Sequence, residues 1–277
     1  MARTARVKTM ESGVAYYHVT SRANGRRFLF ERGEMRTMLV DALRRAAEFS
    51  GVELLAYVAM GNHFHAVVRV TRTDVPVPEG ELVRRVGVLG GERAARALAR
   101  RWAGLAAAGA GAALEGEADR LRARMNDVSE FVKAFKELFD RRYKREREHC
   151  GSIWSGRFKS TMVEDGRYLA VCKKYVFYNP VRAGLVRRAA DYRWGWCADD
   201  AEGDVPAGAV PDGWCLGRRA QLVSGRVYGS EGFVRGWASA LGSRFRAKRV
   251  GPRRMVGLPA EAGSAVLGWR LAERDVA

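Results

Sequence analysis

Residues 14–21 read VAYYHVTS, a run of β-branched and aromatic side chains that predicts a strand. A polar, basic stretch beginning at Asn24-Gly25 breaks it as a turn and loop. Over residues 32–50 the apolar period changes. Met35, Met38, Leu39, Leu43, Ala46 and Phe49 fall at helical spacing, and Gly51 supplies a stop. Residues 52–60 (VELLAYVAM) and 63–70 (HFHAVVRV) return to strand texture. They are separated by Gly61-Asn62, a tight-turn pair, so a hairpin is expected.

The texture of residues 71–127 is different. A Pro-containing loop leads into an Ala-, Arg-, Leu- and Glu-rich stretch, which reads as a solvated helical insertion or helical hairpin. A basic helix is predicted over Val128–Arg147, a fourth strand over RFKSTMV (157–163), and another helix over 165–178. That helix should stop before Asn179-Pro180, because a residue preceding proline is pushed out of the α region. The order is strand, helix, strand, strand, helix, strand, helix. It predicts an α+β protein with a ferredoxin-like split β-α-β domain and a helical insertion after the third strand. After about residue 190 the chain becomes Trp-rich and irregular. Residues 218–254 hold ten basic residues and one acidic residue. We therefore expect a domain over 1–190, with the insertion at about 71–127, and a basic C-terminal appendage over 191–277, with a helix near Gly232 to Leu241.

Charge adds a partner to this picture. The formal net charge is +18 and the pI about 10.4. A charge of this size predicts a polyanionic partner and says nothing of fold. Nucleic acid ranks first, since Lys and Arg that neutralise phosphates release condensed counterions. A membrane is not expected: no run of about 18 apolar residues exists, and no apolar stretch follows the basic start MARTARVKTM to make a signal peptide. Cys150, Cys172, Cys197 and Cys215 are scattered without a CxxC pair, which disfavours a zinc ribbon and suits a reducing, cytoplasmic setting.

The residues that could carry chemistry fall in two segments. His63 and His65 alternate with Phe64 on the third strand, so both imidazoles face one side, roughly 7 Å apart by strand geometry. Two such imidazoles can share a divalent ion. On spacing alone, a pair of hydrogen-bonded structural histidines fits equally well. The second segment is KKYVFYNPVRAGLV, residues 173–186. Tyr175 and Asn179 are four apart and stack on one helical face. A tyrosine near a metal can attack phosphorus, and Asn179 offers a hard amide oxygen suited to Mg²⁺ or Mn²⁺. Taken alone, this segment reads better as core aromatics beside a helix-stopping Asn-Pro. His18 reads better as a core or rim histidine than as a site residue. The His18-Val19-Thr20 triplet resembles the HxT element of two-histidine phosphoesterases, but that class needs two such triplets. Trp154 reads as core. Arg157 and Lys159 fit phosphate contacts and plain solvated positions equally. Arg22, Arg26 and Arg27 could grip DNA or simply be solvated. Residues 132–190 hold fifteen basic and six acidic residues, a net +9 that fits an electrostatic track.

Four ordered blocks, YYHVTSRANGRRFLF, YVAMGNHFHAVV, GSIWSGRFKS and YVFYNPVRAGLV, together resemble the single-tyrosine HUH transposases, and within them the REP-associated tyrosine transposases. The helix SEFVKAFKELFDRRYKRE is similar to the family's helix before the GxxW segment. The resemblance spans most of residues 14–187 apart from the insertion. By position it makes His63 and His65 the metal-binding histidines, Tyr175 the nucleophile and Asn179 the third ligand. Tyr143 is the alternative nucleophile, with Tyr168 and Tyr178 weaker candidates. The resemblance implies metal-dependent nicking and strand transfer of single-stranded DNA beside a hairpin or palindromic repeat, through a 5′-phosphotyrosine, by a monomer or a homodimer. Two other classes compete: a catalytically inactive, domesticated hairpin-binding protein, and an RNA-acting phosphoesterase.

Overall fold

The computed structural model describes residues 13–148, 151–198 and 227–241. Its centre is an antiparallel hairpin and two long crossovers. Strand β1 (Gly13–Arg22) lies between β3 (His63–Arg72) and β4 (Lys159–Val163), antiparallel to both. Strand β2 (Glu53–Ala59) pairs with the other edge of β3. The order β2-β3-β1-β4 is that of a ferredoxin-like split β-α-β unit, as the element pattern predicts.

Side-chain alternation divides the sheet into two faces. Ala15, Tyr17 and Val19 of β1, with Phe64, Ala66, Val68 and Val70 of β3, enter one core. Helices α1 (Gly33–Ser50) and α5 (Val128–Arg147) cover that face. In α5, Phe131, Phe135, Phe139 and Tyr143 recur every four residues, so one stripe is buried. Asp127 caps its start, accepting from the N–H of Ser129 at 2.7 Å and of Glu130 at 3.0 Å. Helix α1 ends on Gly51, whose φ of 65° is left-handed. A β-carbon there would also lie 2.7 Å from Asn126 Oδ1, so glycine is required. Trp154 joins this core as expected, among Phe30, Phe64, Phe135 and Phe139, and its indole donates to Asp140 Oδ1 at 2.6 Å. Burial pushes the Asp140 carboxyl above its usual range.

The insertion forms three helices, α2 (Glu79–Gly90), α3 (Glu92–Ala107) and α4 (Gly111–Arg122). It packs against α1. Leu82 is fully buried, and Arg45 of α1 donates to the carbonyls of Val88 at 2.8 Å and Leu89 at 3.0 Å at the end of α2.

The opposite face is covered by α6 (Arg167–Phe177), which buries Leu169, Cys172, Tyr175 and Val176 at helical spacing against Leu55, Val58 and Val67. A shift in the β2–β3 register between Leu54 and Ala56 keeps both Leu55 and Ala56 on this side. Helix α6 ends before the proline, as expected, but Asn179, the residue preceding it, is helical and not pushed out of the α region. A one-turn helix, α7 (Asn179–Arg182), follows at once. Pro180 is tolerated there because the first-turn N–H groups have no helical partner.

Two short strands complete the sheet, and neither has a sequence signal. The β5 strand (Gly195–Cys197) adds to β2, inside the segment that reads as irregular. The β6 strand (Val227–Tyr228) runs parallel to β4. Helix α8 (Glu231–Leu241) lies where a C-terminal helix is expected. The remainder of the basic region, residues 199–226 and 242–277, lies outside the described residues. Among the described residues, no helix is long and apolar enough to cross a membrane.

Candidate active site

The candidate residues gather on the α6 face of the sheet. His63 and His65 of β3 point to it with Val67, while Phe64 points to the other core. Their ring centroids are 5.1 Å apart and nearly perpendicular, at 85°. This is closer than the ~7 Å expected for same-face positions on a strand. The approach follows from what each ring touches. The His63 Nδ1 lies 2.6 Å from Oδ1 of its neighbour Asn62. The His65 Nδ1 lies 2.9 Å from Nε2 of His18.

His18 is therefore part of the site. It sits on β1 opposite Val67, with Thr20 opposite His65. The side chain is 1% exposed, and its ring lies nearly parallel to that of His65, at 6° with centroids 5.0 Å apart, edge to edge as their hydrogen bond requires. Sequence reasoning undervalues it because a lone histidine on a strand has no spacing partner. Its place comes from the register of β1 on β3, which pairs Thr20 with His65 and Arg22 with His63 and puts His18 on the same face.

Tyr175 comes to the same place from α6. Its ring stands edge-on to His65 at 5.8 Å and to His18 at 6.0 Å. The guanidinium of Arg182, in the segment after α6, lies 5.0 Å from the Tyr175 ring centroid, a cation–π contact. Tyr175 is 3% exposed and His65 5%. Asn179 opens α7 one turn beyond Tyr175, half-buried, with its backbone carbonyl accepting from Ala183 N–H at 3.0 Å.

The other tyrosines lie elsewhere. Tyr143 belongs to the α1–α5 core, packed on Phe139 at 5.5 Å, with the sheet between it and the histidines. Tyr168 is on the α6 side but packs edge-on against Tyr228 at 5.2 Å. Tyr178 packs on Phe177. Cys172 is fully buried, and burial pushes its thiol up, which makes it inert as a nucleophile.

The basic candidates gather at one end of the sheet. Arg22 ends β1 in register with His63. Arg26 and Arg27 are exposed on the following loop, and Arg157 and Lys159 are exposed where the 151–158 segment enters β4. Backbone bonds tie these pieces together: Ala23 N–H to Asn62 carbonyl at 2.8 Å, Asn24 N–H to Ile153 carbonyl at 2.8 Å, and Ser155 N–H to Arg22 carbonyl at 2.9 Å. The side-chain amide of Asn62 donates to the Arg26 carbonyl at 3.3 Å, linking the basic loop to the residue that holds His63.

The two imidazoles offer a donor set that suits a divalent ion. With Nδ1–H donated to Asn62, His63 carries its lone pair on Nε2. His65 does the same when its Nδ1 donates to His18. Two imidazoles of this form are good ligands. Among the described residues, no group of three or more His, Cys, Asp or Glu is placed to hold an ion by itself. Further ligands would be amide, phosphate or water oxygens, the hard donors that Mg²⁺ and Mn²⁺ accept.

No family model and no curated protein matches this chain. Solved structures do. One is a REP-associated tyrosine transposase bound to a REP hairpin, 16% identical, with 70% of this chain and 82% of that chain covered and a TM-score of 0.42.

Proposed function

We propose that this protein nicks and rejoins single-stranded DNA beside a hairpin, with Tyr175 as nucleophile and a Mg²⁺ or Mn²⁺ ion held by His63, His65 and Asn179. The observation that carries this reading is the convergence of a helix tyrosine on two same-face strand histidines, with five basic residues at the adjoining end of the sheet. A bound ion would withdraw charge from the scissile phosphate and orient it. The Tyr175 oxygen attacks phosphorus as its proton leaves. The bond from phosphorus to the 3′-oxygen breaks, and that oxygen takes up a proton. A 5′-phosphotyrosine and a free 3′-hydroxyl result. Attack by another 3′-hydroxyl reverses the step and joins strands without ATP, since the diester bond energy is kept in the intermediate. Asn62 and His18 hold the imidazoles through their Nδ1 atoms. Arg22, Arg26, Arg27, Arg157 and Lys159 would grip phosphates, which positions the strand without reading its sequence.

A second reading, hairpin binding without cleavage, is favoured by one observation. Tyr175 and His65 are almost fully enclosed and in edge-on ring contact, which leaves little room for a phosphate between them. A denaturing gel separates the two readings. Wild-type protein with a labelled hairpin substrate and Mn²⁺ should form a covalent adduct. EDTA and Tyr175→Phe should each abolish it, while Tyr175→Phe keeps its affinity for the hairpin. Binding without any adduct in the wild type would leave the non-catalytic reading standing.

A further inference from the structure

Beside the His63 turn, an aromatic side chain is held out in solvent. Phe28 is 64% exposed, whereas Phe30, two residues on, is 0% exposed and anchors the loop in the α1–α5 core. The loop backbone is fixed on both sides of Phe28. Ala23 N–H reaches the Asn62 carbonyl at 2.8 Å, Leu29 N–H the Arg27 carbonyl at 2.9 Å, and Phe30 N–H the Gly61 carbonyl at 2.9 Å. The ring lies against Gly61: a β-carbon at that position would come 2.9 Å from Phe28 Cδ1. Gly61 thus provides the seat for the ring, two residues before His63. A single exposed apolar side chain is ordinary, and Val75 is more exposed still; what sets Phe28 apart is that its loop is pinned on both sides and its ring is seated on Gly61 among cations. The surroundings say which kind. Arg26 and Arg27 precede it, and the Arg36 guanidinium, over the Trp194 ring at 4.8 Å, is 3.8 Å from the same point above Gly61. An exposed aromatic ring among arginines matches an unpaired nucleobase, which has a flat face for stacking and a phosphate on either side for the cations. A protein partner would need acidic groups around an apolar socket, and a duplex offers no unstacked base.

We propose that Phe28 is the stacking platform for one unpaired base of the DNA strand that enters the His63–His65–Tyr175 site, with Gly61 keeping the ring's seat clear. This deepens the proposed function and rests on it for the identity of the strand. Base–aromatic stacking is tolerant of sequence, so Phe28 sets the preference for single-stranded DNA next to the stem, not for a particular base.

The test compares full-length wild type with Phe28→Ala and Phe28→Tyr on two labelled DNA hairpins, one blunt and one with a mixed-sequence single-stranded tail. Wild type should prefer the tailed hairpin. Phe28→Ala should weaken that complex by about 5- to 150-fold and leave the blunt one unchanged within about twofold. Phe28→Tyr, which keeps the ring, should behave as wild type. Abasic substitutions walked along the tail should find one position that costs wild type the same factor and costs Phe28→Ala nothing more. Equal tailed-hairpin affinity for wild type and Phe28→Ala would overturn the proposal, as would wild type showing no preference for the tail. A Phe28-dependent preference without any covalent adduct would support the platform and remove the cleavage reading, so the two failures are distinguishable.

Discussion

A histidine that binds an ion through Nε2 needs its Nδ1 held by a partner, which fixes the tautomer and ring orientation. In this protein the two partners differ. His63 uses Asn62, its neighbour in sequence, and His65 uses His18, 47 residues away on β1. On the proposed reading, His18 is a positioning residue. His18→Ala should weaken Mn²⁺ binding about 10- to 100-fold, followed by the electron paramagnetic resonance of the free ion. His18→Gln, whose amide can still bond to His65, should recover part of it. Unchanged Mn²⁺ affinity in His18→Ala would reduce His18 to a packing role. The nucleophile is also decided at this scale. Tyr143→Phe alters the far side of the sheet and should retain the adduct, at a cost of no more than about 1 kcal/mol in stability. If Tyr143→Phe loses the adduct and Tyr175→Phe keeps it, the assignment is reversed.

Among the elements, the insertion and the last strand carry separate predictions. Helix α2 packs on α1, on the face opposite the histidines, while α3 and α4 pack on α2 and on each other: the Trp102 indole donates to Glu117 Oε2 at 3.0 Å. Replacing residues 79–122 with a short flexible linker should leave nicking detectable. Stability should fall, because Leu82 no longer covers α1. The burial lost, about 2–3 kcal/mol, corresponds to a drop in Tm of roughly 5–10 °C. A folded, DNA-binding variant that no longer nicks would show that the insertion acts on the site. The β6 strand changes what a C-terminal deletion means. Val227 and Tyr228 pair with Met162 and Val163 of β4, Tyr228 is 1% exposed, and Ser230 Oγ donates to Glu164 at 2.9 Å. Deleting from residue 215 therefore uncovers β4 and should lower Tm as well as DNA affinity.

For the whole molecule, charge is the property that matters, and it is unevenly placed. A net charge of +18 gives sequence-independent affinity for any polyanion. Arg22, Arg26, Arg27, Arg157 and Lys159 concentrate part of it at the end of the sheet that carries His63. Residues 242–277 add Arg244, Arg246, Lys248, Arg249, Arg253, Arg254, Arg270 and Arg274 against Glu261, Glu273 and Asp275. Deleting from residue 242 keeps β6 and α8 and should flatten the dependence of log Kd on log salt. Each phosphate contact removed should reduce the slope by about 0.7–0.9. An unchanged slope in this folded truncation would assign the segment to another task.

Period and punctuation are local properties, so the sequence by itself determined the ordered elements β1 to β4, α1, α5 and α6. It also put His63 and His65 on one face, because strand alternation is independent of context. The strand-helix pattern likewise carried the ferredoxin-like order. Contacts between distant segments were beyond its reach. Strands β5 and β6 are three and two residues long, and only a sheet edge presented by β2 or β4 makes them strands. His18 entered the site through the register of β1 on β3. The difference between Tyr175 and Tyr143 lies in the layer that each helix occupies, and two basic amphipathic helices do not reveal from their own periods which face of a sheet they will cover. Tertiary packing decided that, because a helix stripe can be buried on either face and only the summed contacts of the whole core choose between them.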